Sequence, residues 1–448
     1  MKRDAIDFET ENISRLFRKL LIPTILGTIS MSAMTAIDGV FMGRGVGAEG
    51  VASVNIVVPI YQIMAGLGLM IGTGCSVVAS VHLSRKNIKA ARLNITQSII
   101  VSSIFTLLLC GLIFFFPEKT ARLLGASETL LPLVIDYMIW LVPCFIFEMW
   151  SLIGLFIIRV DGSPRFAMWC NIIPSVLNAV LDWVFIFPLG MGIKGAAIAT
   201  GISIFLGGLM AMIYLLFYAE TLGLIRMKLS MKSMRLTMRN IMYQCKIGFS
   251  TLLGEMSLAV LVFVGNIVFM SYLGDAGVGA FGIACYYMPF FFMMGNSIAQ
   301  SAQPIISYNY GLSRWHQIKK ARRLLFMSSL VCGLIVSLLF VLIPDKLVYL
   351  FVAEGSEAGR IAVNGFPYLA VGIIPFIMNV ATIGYYQSIE RVKYSTLFVL
   401  LRGCVFLLPC FIIIPRLINI TGIWLSMPAA ELLTIIVIFI VWQKSRNK

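Results

Sequence analysis

The chain has 448 residues, of which 59% are hydrophobic and 12% charged, with a mean hydropathy of +0.94. A soluble domain carries about a quarter charged residues, so that class is excluded and a multi-pass membrane protein is expected. The formal net charge of +15 invites nucleic acid as a partner, but the basic residues cluster in loops on one side of the topology below, and nucleic acid drops out.

The first twenty residues, MKRDAIDFETENISRLFRKL, are polar and mixed in charge. They lack the n-region, apolar h-region and small-residue cleavage site of a signal peptide, and read as a short cytoplasmic amphipathic lead-in. Apolar runs of about 20 residues then recur along the chain, none alternating with period two, so helices and not barrel strands must span. Twelve helices are predicted near 15–42, 51–82, 94–116, 131–158, 167–188, 195–219, 247–272, 278–309, 324–343, 361–388, 395–415 and 422–442. With the N-terminus inside, Lys and Arg favour the inner loops while Asp and Glu do not, which is the positive-inside pattern and places both termini in the cytoplasm. The nine cysteines fall mostly in apolar segments without a CxxC, as small buried hydrophobes do.

The pattern repeats. At one constant offset GIKGAA (192–197) falls on NITGIW (419–424), Pro188 on Pro415, and Gly47, Gly50 and Val51 on Gly274, Gly277 and Val278. With three residues inserted, IKAAR (88–92) falls on IKKAR (318–322). The expected fold is therefore all-α and integral to the membrane. Two six-helix lobes, 1–219 and 247–448, related by a pseudo-twofold axis along the membrane normal, are joined by a basic cytoplasmic loop, 220–246.

A charge at the bilayer centre costs at least ~2.5–3.5 kcal/mol, so each intramembrane charge needs a reason. In the stretch AIDGVFMGRGVGAEG (36–50), Asp38 stands near the outer end of predicted helix 1. Asp182 in predicted helix 5 shares a face with Asn178, and Thr200 in predicted helix 6 lies at similar depth. Two carboxylates, an amide and a hydroxyl suit a small hard cation, and equally a proton, because two adjacent carboxylates cannot both stay ionised cheaply. The repeat does not copy them: it sets Gly265, Val405, Pro409 and Met427 opposite Asp38, Asn178, Asp182 and Thr200.

In the second half Glu255, Arg402 and Glu431 lie at comparable depth. Arg cannot lose its proton, so an Arg402–Glu255 or Arg402–Glu431 ion pair is expected. The remaining glutamate is then a binder of cationic substrate or proton, or the pair is structural only. Asp136 belongs near the outer interface. Glu148 is mid-helix, either facing a cavity as a substrate-site candidate or pairing with Arg159 through a distortion.

Methionines and aromatics favour organic cations, with Met34, Met256, Tyr286 and Met288 as inward-facing candidates. Pro289 and Pro304, with Gln300 and Gln303 nearby, predict an irregular, gating helix 8. The loops HLSRKNIKAAR and YGLSRWHQIKKARR predict a short basic helix after helices 2 and 8, anchored to anionic lipid. His82 and His316 are lone histidines, and no metal site is expected beyond Na⁺.

A helix-1 proline, Pro23, followed by DGVFMGR (38–44), the GAEGVA turn (47–52), N-x-x-x-D at 178–182 and the six-plus-six repeat together resemble the multidrug and toxic compound extrusion (MATE) family. The resemblance spans essentially the whole chain and looks closest to bacterial multidrug exporters. It implies a multi-pass transporter of the inner (plasma) membrane that expels small organic cations and drugs in exchange for H⁺ or Na⁺. It implies a cation site at Asp38, Asn178, Asp182 and Thr200, with Pro23 letting helix 1 bend. It further implies a monomer in the lipid bilayer, without cofactor beyond the coupling ion. Glu255 resembles a helix-7 acid that some branches use for coupling, but those branches add a helix-10 acid where this chain offers Asn379. A lipid-linked oligosaccharide flippase of the same superfamily is the alternative; it would need several inward Arg or Lys for pyrophosphate. A membrane transferase would need a DDxxD or HxxxxD set, and neither is present. No Walker A motif appears, so ATP drive is not encoded in this chain.

Overall fold

A computed structural model of the chain describes residues 6–46, 48–227 and 230–446, and these are helical without a strand. Ten helical stretches among them are long and apolar enough to cross a bilayer. The first is α1 (Ile13–Gly45), opened by Asn12, whose side chain accepts from the Ser14 N–H. In hydrocarbon every polar group must be satisfied internally. The hydroxyls of α1 do this by returning to carbonyls one turn back: Thr24 to Leu20, Thr28 to Thr24 and Ser32 to Thr28. The helix runs through Pro23 without a non-helical residue.

α2 (Ala48–Ser84) and α3 (Ile88–Phe115) follow, then short α4 (Pro117–Leu123) and α5 (Leu131–Leu141). Pro143 cannot donate, and the chain tightens into a 3₁₀ turn over Val142–Cys144 before α6 (Phe145–Val160). α7 (Pro164–Ile186) and α8 (Gly192–Ile213) complete this part, and α8 ends in a π turn, Tyr214–Tyr218. Long α9 (Met231–Gly311) is broken at Gly274, with φ 61° and ψ −154°, a conformation only glycine adopts without strain. α10 (Trp315–Leu342), α11 (Pro344–Val348), α12 (Glu357–Ser388) and α13 (Val392–Leu400) come next. A π turn at Leu401–Val405 leads into α14 (Leu407–Arg446), broken at Ile418 and Asn419.

Three expectations are corrected. The basic segment 220–246 is not a loop throughout: Ser230 caps α9 by accepting from the Ser233 N–H, so helix begins at Met231. The basic stretches after predicted helices 2 and 8 are not separate short helices but the first turns of α3 and α10. Pro289 and Pro304 do not disturb α9, whose one non-helical residue is Gly274. A proline's fixed φ near −65° fits a helix, whereas Gly274 has no side chain to resist a sharp reversal.

Residues with positive φ form two series along the chain. Lys86, Gly125, Gly162 and Gly192 in the first half are followed in the same order by Ser313, Gly355, Glu390 and Asn419 in the second, while Gly190 has no counterpart among the described residues. Gly47, the expected counterpart of Gly274, lies outside the described residues.

The chain forms two compact units, Met1–Gly248 with Ser307–Trp315, and Phe249–Ile306 with His316–Lys448. In the first, α7 packs on α1 and α8, and α6 on α2 and α8. Its core includes Met42, Val57, Met64, Met138, Leu141 and Phe145. In the second, α12 packs on α14, and Phe291, Phe340, Phe366 and Phe376 form a buried aromatic cluster in which Phe340 stacks on Phe366 with centroids 4.9 Å apart and the Phe291 contacts are edge-to-face.

Candidate functional site

Four helices of the first unit converge on the acids. α1 carries Asp38, α7 carries Asn178 and Asp182 one turn apart, α8 carries Thr200 and α5 carries Tyr137. Asn178 and Asp182 are fully buried; Asp38 and Thr200 are half-buried. The Asn178 Nδ2 donates to Thr200 Oγ1 at 3.4 Å. The carboxyl groups of Asp38 and Asp182 lie within hydrogen-bonding reach of each other. Tyr137 is buried near Thr200 and both carboxylates.

The decisive feature is what these oxygens lack. Asp38 Oδ1, Asn178 Oδ1 and both carboxylate oxygens of Asp182 are buried with no hydrogen-bond partner among the described residues. Each unsatisfied buried acceptor costs about 1–3 kcal/mol, more when charged, so four together make a strongly acceptor-rich pocket. A proton shared between the carboxyls, or a small cation with oxygen ligands, satisfies such a set.

Beside this cluster a cavity of about 380 Å³ lies against α1 and α7, lined by Ser30, Met34, Ile37, Ser175, Ala179 and Trp183 among others. Met34 is one turn below Asp38, and Trp183 is the neighbour of Asp182. Away from the cluster, Glu148 is buried and accepts from the Tyr61 hydroxyl at 3.3 Å. Asp136 is exposed.

In the second unit, Arg402 pairs with Glu431: Nη2 donates to Oε1 at 2.6 Å and Nε to both oxygens at 3.0 and 3.2 Å. The Asn379 Nδ2 donates to Glu431 Oε2 at 2.6 Å, and the Arg402 guanidinium lies 4.1 Å from the Phe376 ring centroid. Glu255 stays outside this pair, half-buried on α9. The second unit's substrate candidates are not gathered into one surface. Met288 is buried at 1% exposure, Met256 is exposed, and Tyr286 is exposed with its ring stacked on Phe351. Pro23 and Pro304 are buried and Pro289 is exposed.

Sequence reasoning passes over Tyr137, because the charge of its neighbour Asp136 draws attention. The helical spacing of Val134, Tyr137, Met138 and Leu141, all buried, is the signal that sets Tyr137 inward.

Fold and site together define a polytopic helical membrane transporter with a buried acidic cluster in its first half. The MatE family model matches residues 23–184 and again 251–412, and the chain belongs to that family. It is 22% identical over 442 residues to the multidrug export protein MepA of Staphylococcus saprophyticus, covering 95% of this chain and 92% of that one. It is 25% identical over 346 residues to an FAD transporter of Shewanella oneidensis, covering 75% and 72%. Among solved structures, a multidrug resistance MATE family transporter of the MOP superfamily, in an outward-facing conformation, aligns with a TM-score of 0.88 and 21% identity over 97% of this chain and 96% of that one.

Proposed function

We propose that the chain is a secondary active exporter of organic cations and amphiphilic drugs, driven by antiport with H⁺ or Na⁺. Asp38, Asn178, Asp182 and Thr200 bind the coupling ion, and Tyr137 completes their shell. The single observation that carries this reading is the set of partnerless oxygens on Asp38, Asn178 and Asp182, buried together. Such a set is poised to take up positive charge and to repack when it does. Coupling requires that ion and drug favour opposite states or compete for one carboxylate. Met34, in the wall of the neighbouring cavity, and the acids Glu148 and Glu255 favour a cationic cargo.

The breaks at Gly274 and at Ile418–Asn419 divide two of the ten apolar stretches, which supports twelve spans. The two positive-φ series support a duplicated plan, with lobes 1–219 and 247–448. The basic bias of the loops supports cytoplasmic termini in a bacterial plasma membrane. Against a flippase for lipid pyrophosphates stands the commitment of intramembrane Arg402 to Glu431.

Export of a fluorescent organic cation from proteoliposomes tests the proposal, with a pH gradient alone and then a Na⁺ gradient alone, beside Asp38→Asn. Export by the parent under one gradient, lost in the variant, supports antiport and names the ion. Failure of the parent under both gradients, with a panel of cations, overturns it.

A further inference from the structure

α3 meets the first turns of α9 through a network of polar side chains. Within the first unit, Gln97 Nε2 donates to Thr237 Oγ1 at 2.9 Å, and Asn240 Nδ2 donates to Gln97 Oε1 at 2.8 Å. One turn along, Ser98 Oγ donates to Gln244 Oε1 at 2.5 Å, and Gln244 Nε2 donates to Asn94 Oδ1 at 3.0 Å. Gln97, Ser98 and Gln244 are 0% exposed. α2 approaches α9 backbone to backbone beside this contact. A Cβ on Gly74 would stand 2.0 Å from the Gln244 carbonyl oxygen, and one on Gly248 would stand 1.9 Å from that of Met70.

This chemistry suits a contact that can open and close. Six neutral amides and hydroxyls gain only about 0.5–1.5 kcal/mol net per bond when they close, since each can bond water instead. When they part, the six groups exposed are themselves polar, and closing again does not strip water from an ion. We propose that Asn94, Gln97 and Ser98 of α3, with Thr237, Asn240 and Gln244 of α9, form a reversible seam, closed in this structure, that opens once per transport cycle to admit cargo. The proposal rests on the exporter reading, and the basic residues beside the seam place it on the cytoplasmic side. Neutrality also separates its job from that of the Asp38–Asp182 cluster: the seam has no charge to titrate, so it responds to the coupling ion only through the helices.

The test is a Gln97→Cys/Thr237→Cys chain in proteoliposomes, bridged by a short bifunctional methanethiosulfonate and released by reductant. The parent chain is treated in parallel to account for its own cysteines. The unbridged protein is expected to export; bridged protein, verified by mass, is expected to lose export and regain it on reduction. Bridged protein that exports at the unbridged rate overturns the seam. A second measurement covers a bridge that does not form or a double variant that does not fold. Asn240→Cys is exposed to a membrane-impermeant maleimide from the side of the basic loops, at rest and during turnover. Faster labelling during turnover supports the seam, and equal labelling overturns it. Parent protein that exports nothing under any gradient overturns the exporter reading instead.

Discussion

Removing one member of the Arg402–Glu431 pair is expected to cost far more than neutralising both. The two side chains are 3% and 5% exposed, and Arg402 makes three contacts to the carboxylate between 2.6 and 3.2 Å. Arg402→Met leaves a buried carboxylate with the Asn379 amide as its remaining donor from these groups. Glu431→Gln keeps the shape but leaves a guanidinium without its counter-charge. Each single change is expected to cost about 3–5 kcal/mol, because an uncompensated charge stays in a medium that solvates it poorly. Against a total stability of about 5–15 kcal/mol that is a large share, and it corresponds to a fall in melting temperature on the order of 10 °C. The double variant Arg402→Met/Glu431→Gln has no buried charge and is expected to be more stable than either single one. The assay is thermal unfolding of the four detergent-solubilised proteins, read as a double-mutant cycle. Single variants as stable as the parent, or losses that add within about 0.5 kcal/mol, would refute the reasoning.

Four further outcomes follow from the geometry. Asp182→Asn should abolish gradient-driven export in the flux assay while leaving the melting temperature near that of the parent, because its amide brings donors to a group of acceptors that has none. Tyr137→Phe should remove a hydroxyl near the acidic cluster and shift the apparent affinity for the coupling ion without ending export, measured as flux against ion concentration. Gly74→Ala should lower stability by about 1–3 kcal/mol through overpacking against the Gln244 backbone. Gly39→Ala, where a Cβ meets nothing within 4 Å, should gain about 0.5–1 kcal/mol, and paired thermal unfolding decides.

What the sequence makes legible follows the size of each energetic penalty. Charges in apolar segments are costly enough to stand out, so Asp38, Asp182, Arg402 and Glu431 can be picked from the letters, and helical spacing sets Asn178 beside Asp182. Which glutamate Arg402 takes was open, because depth along a helix says nothing about rotation between helices. The seam was hidden because Thr237 and Gln244 stand among Lys and Arg in a stretch that reads as cytoplasmic loop, while Asn94 and Gln97 open predicted helix 3 with nothing in the letters to show what they face. The same charges, Lys232, Arg235, Arg239 and Lys246, masked the start of α9, since hydropathy cannot tell a helix with one polar buried face from a linker. Prolines, in turn, overstated irregularity. The real reversal is at Gly274, where the signal is the absence of a side chain.

Three buried polar groups in this chain differ in charge and in how fully their members are satisfied, and those two differences sort what each is built to do. Arg402 and Glu431 hold mutually matched charge, with the Asn379 amide donating to the carboxylate; moving them apart strands an ion, so they belong to a part that stays assembled. The residues of the α3–α9 seam are matched but neutral, so separation exchanges one set of hydrogen bonds for another at little net change, and they suit a part that moves. Asp38, Asn178 and Asp182 are unmatched, and their spare acceptors are a standing demand for positive charge. Under the proposed antiport, filling that demand is the event that changes how α1 packs on α7. A single substitution that supplies a donor there, such as Asp182→Asn, is then expected to hold α1 in its filled packing whatever the gradient. Labelling of Asn240→Cys in the Asp182→Asn background reads this directly: labelling that no longer responds to the gradient ties cluster to seam, and labelling that still responds separates them.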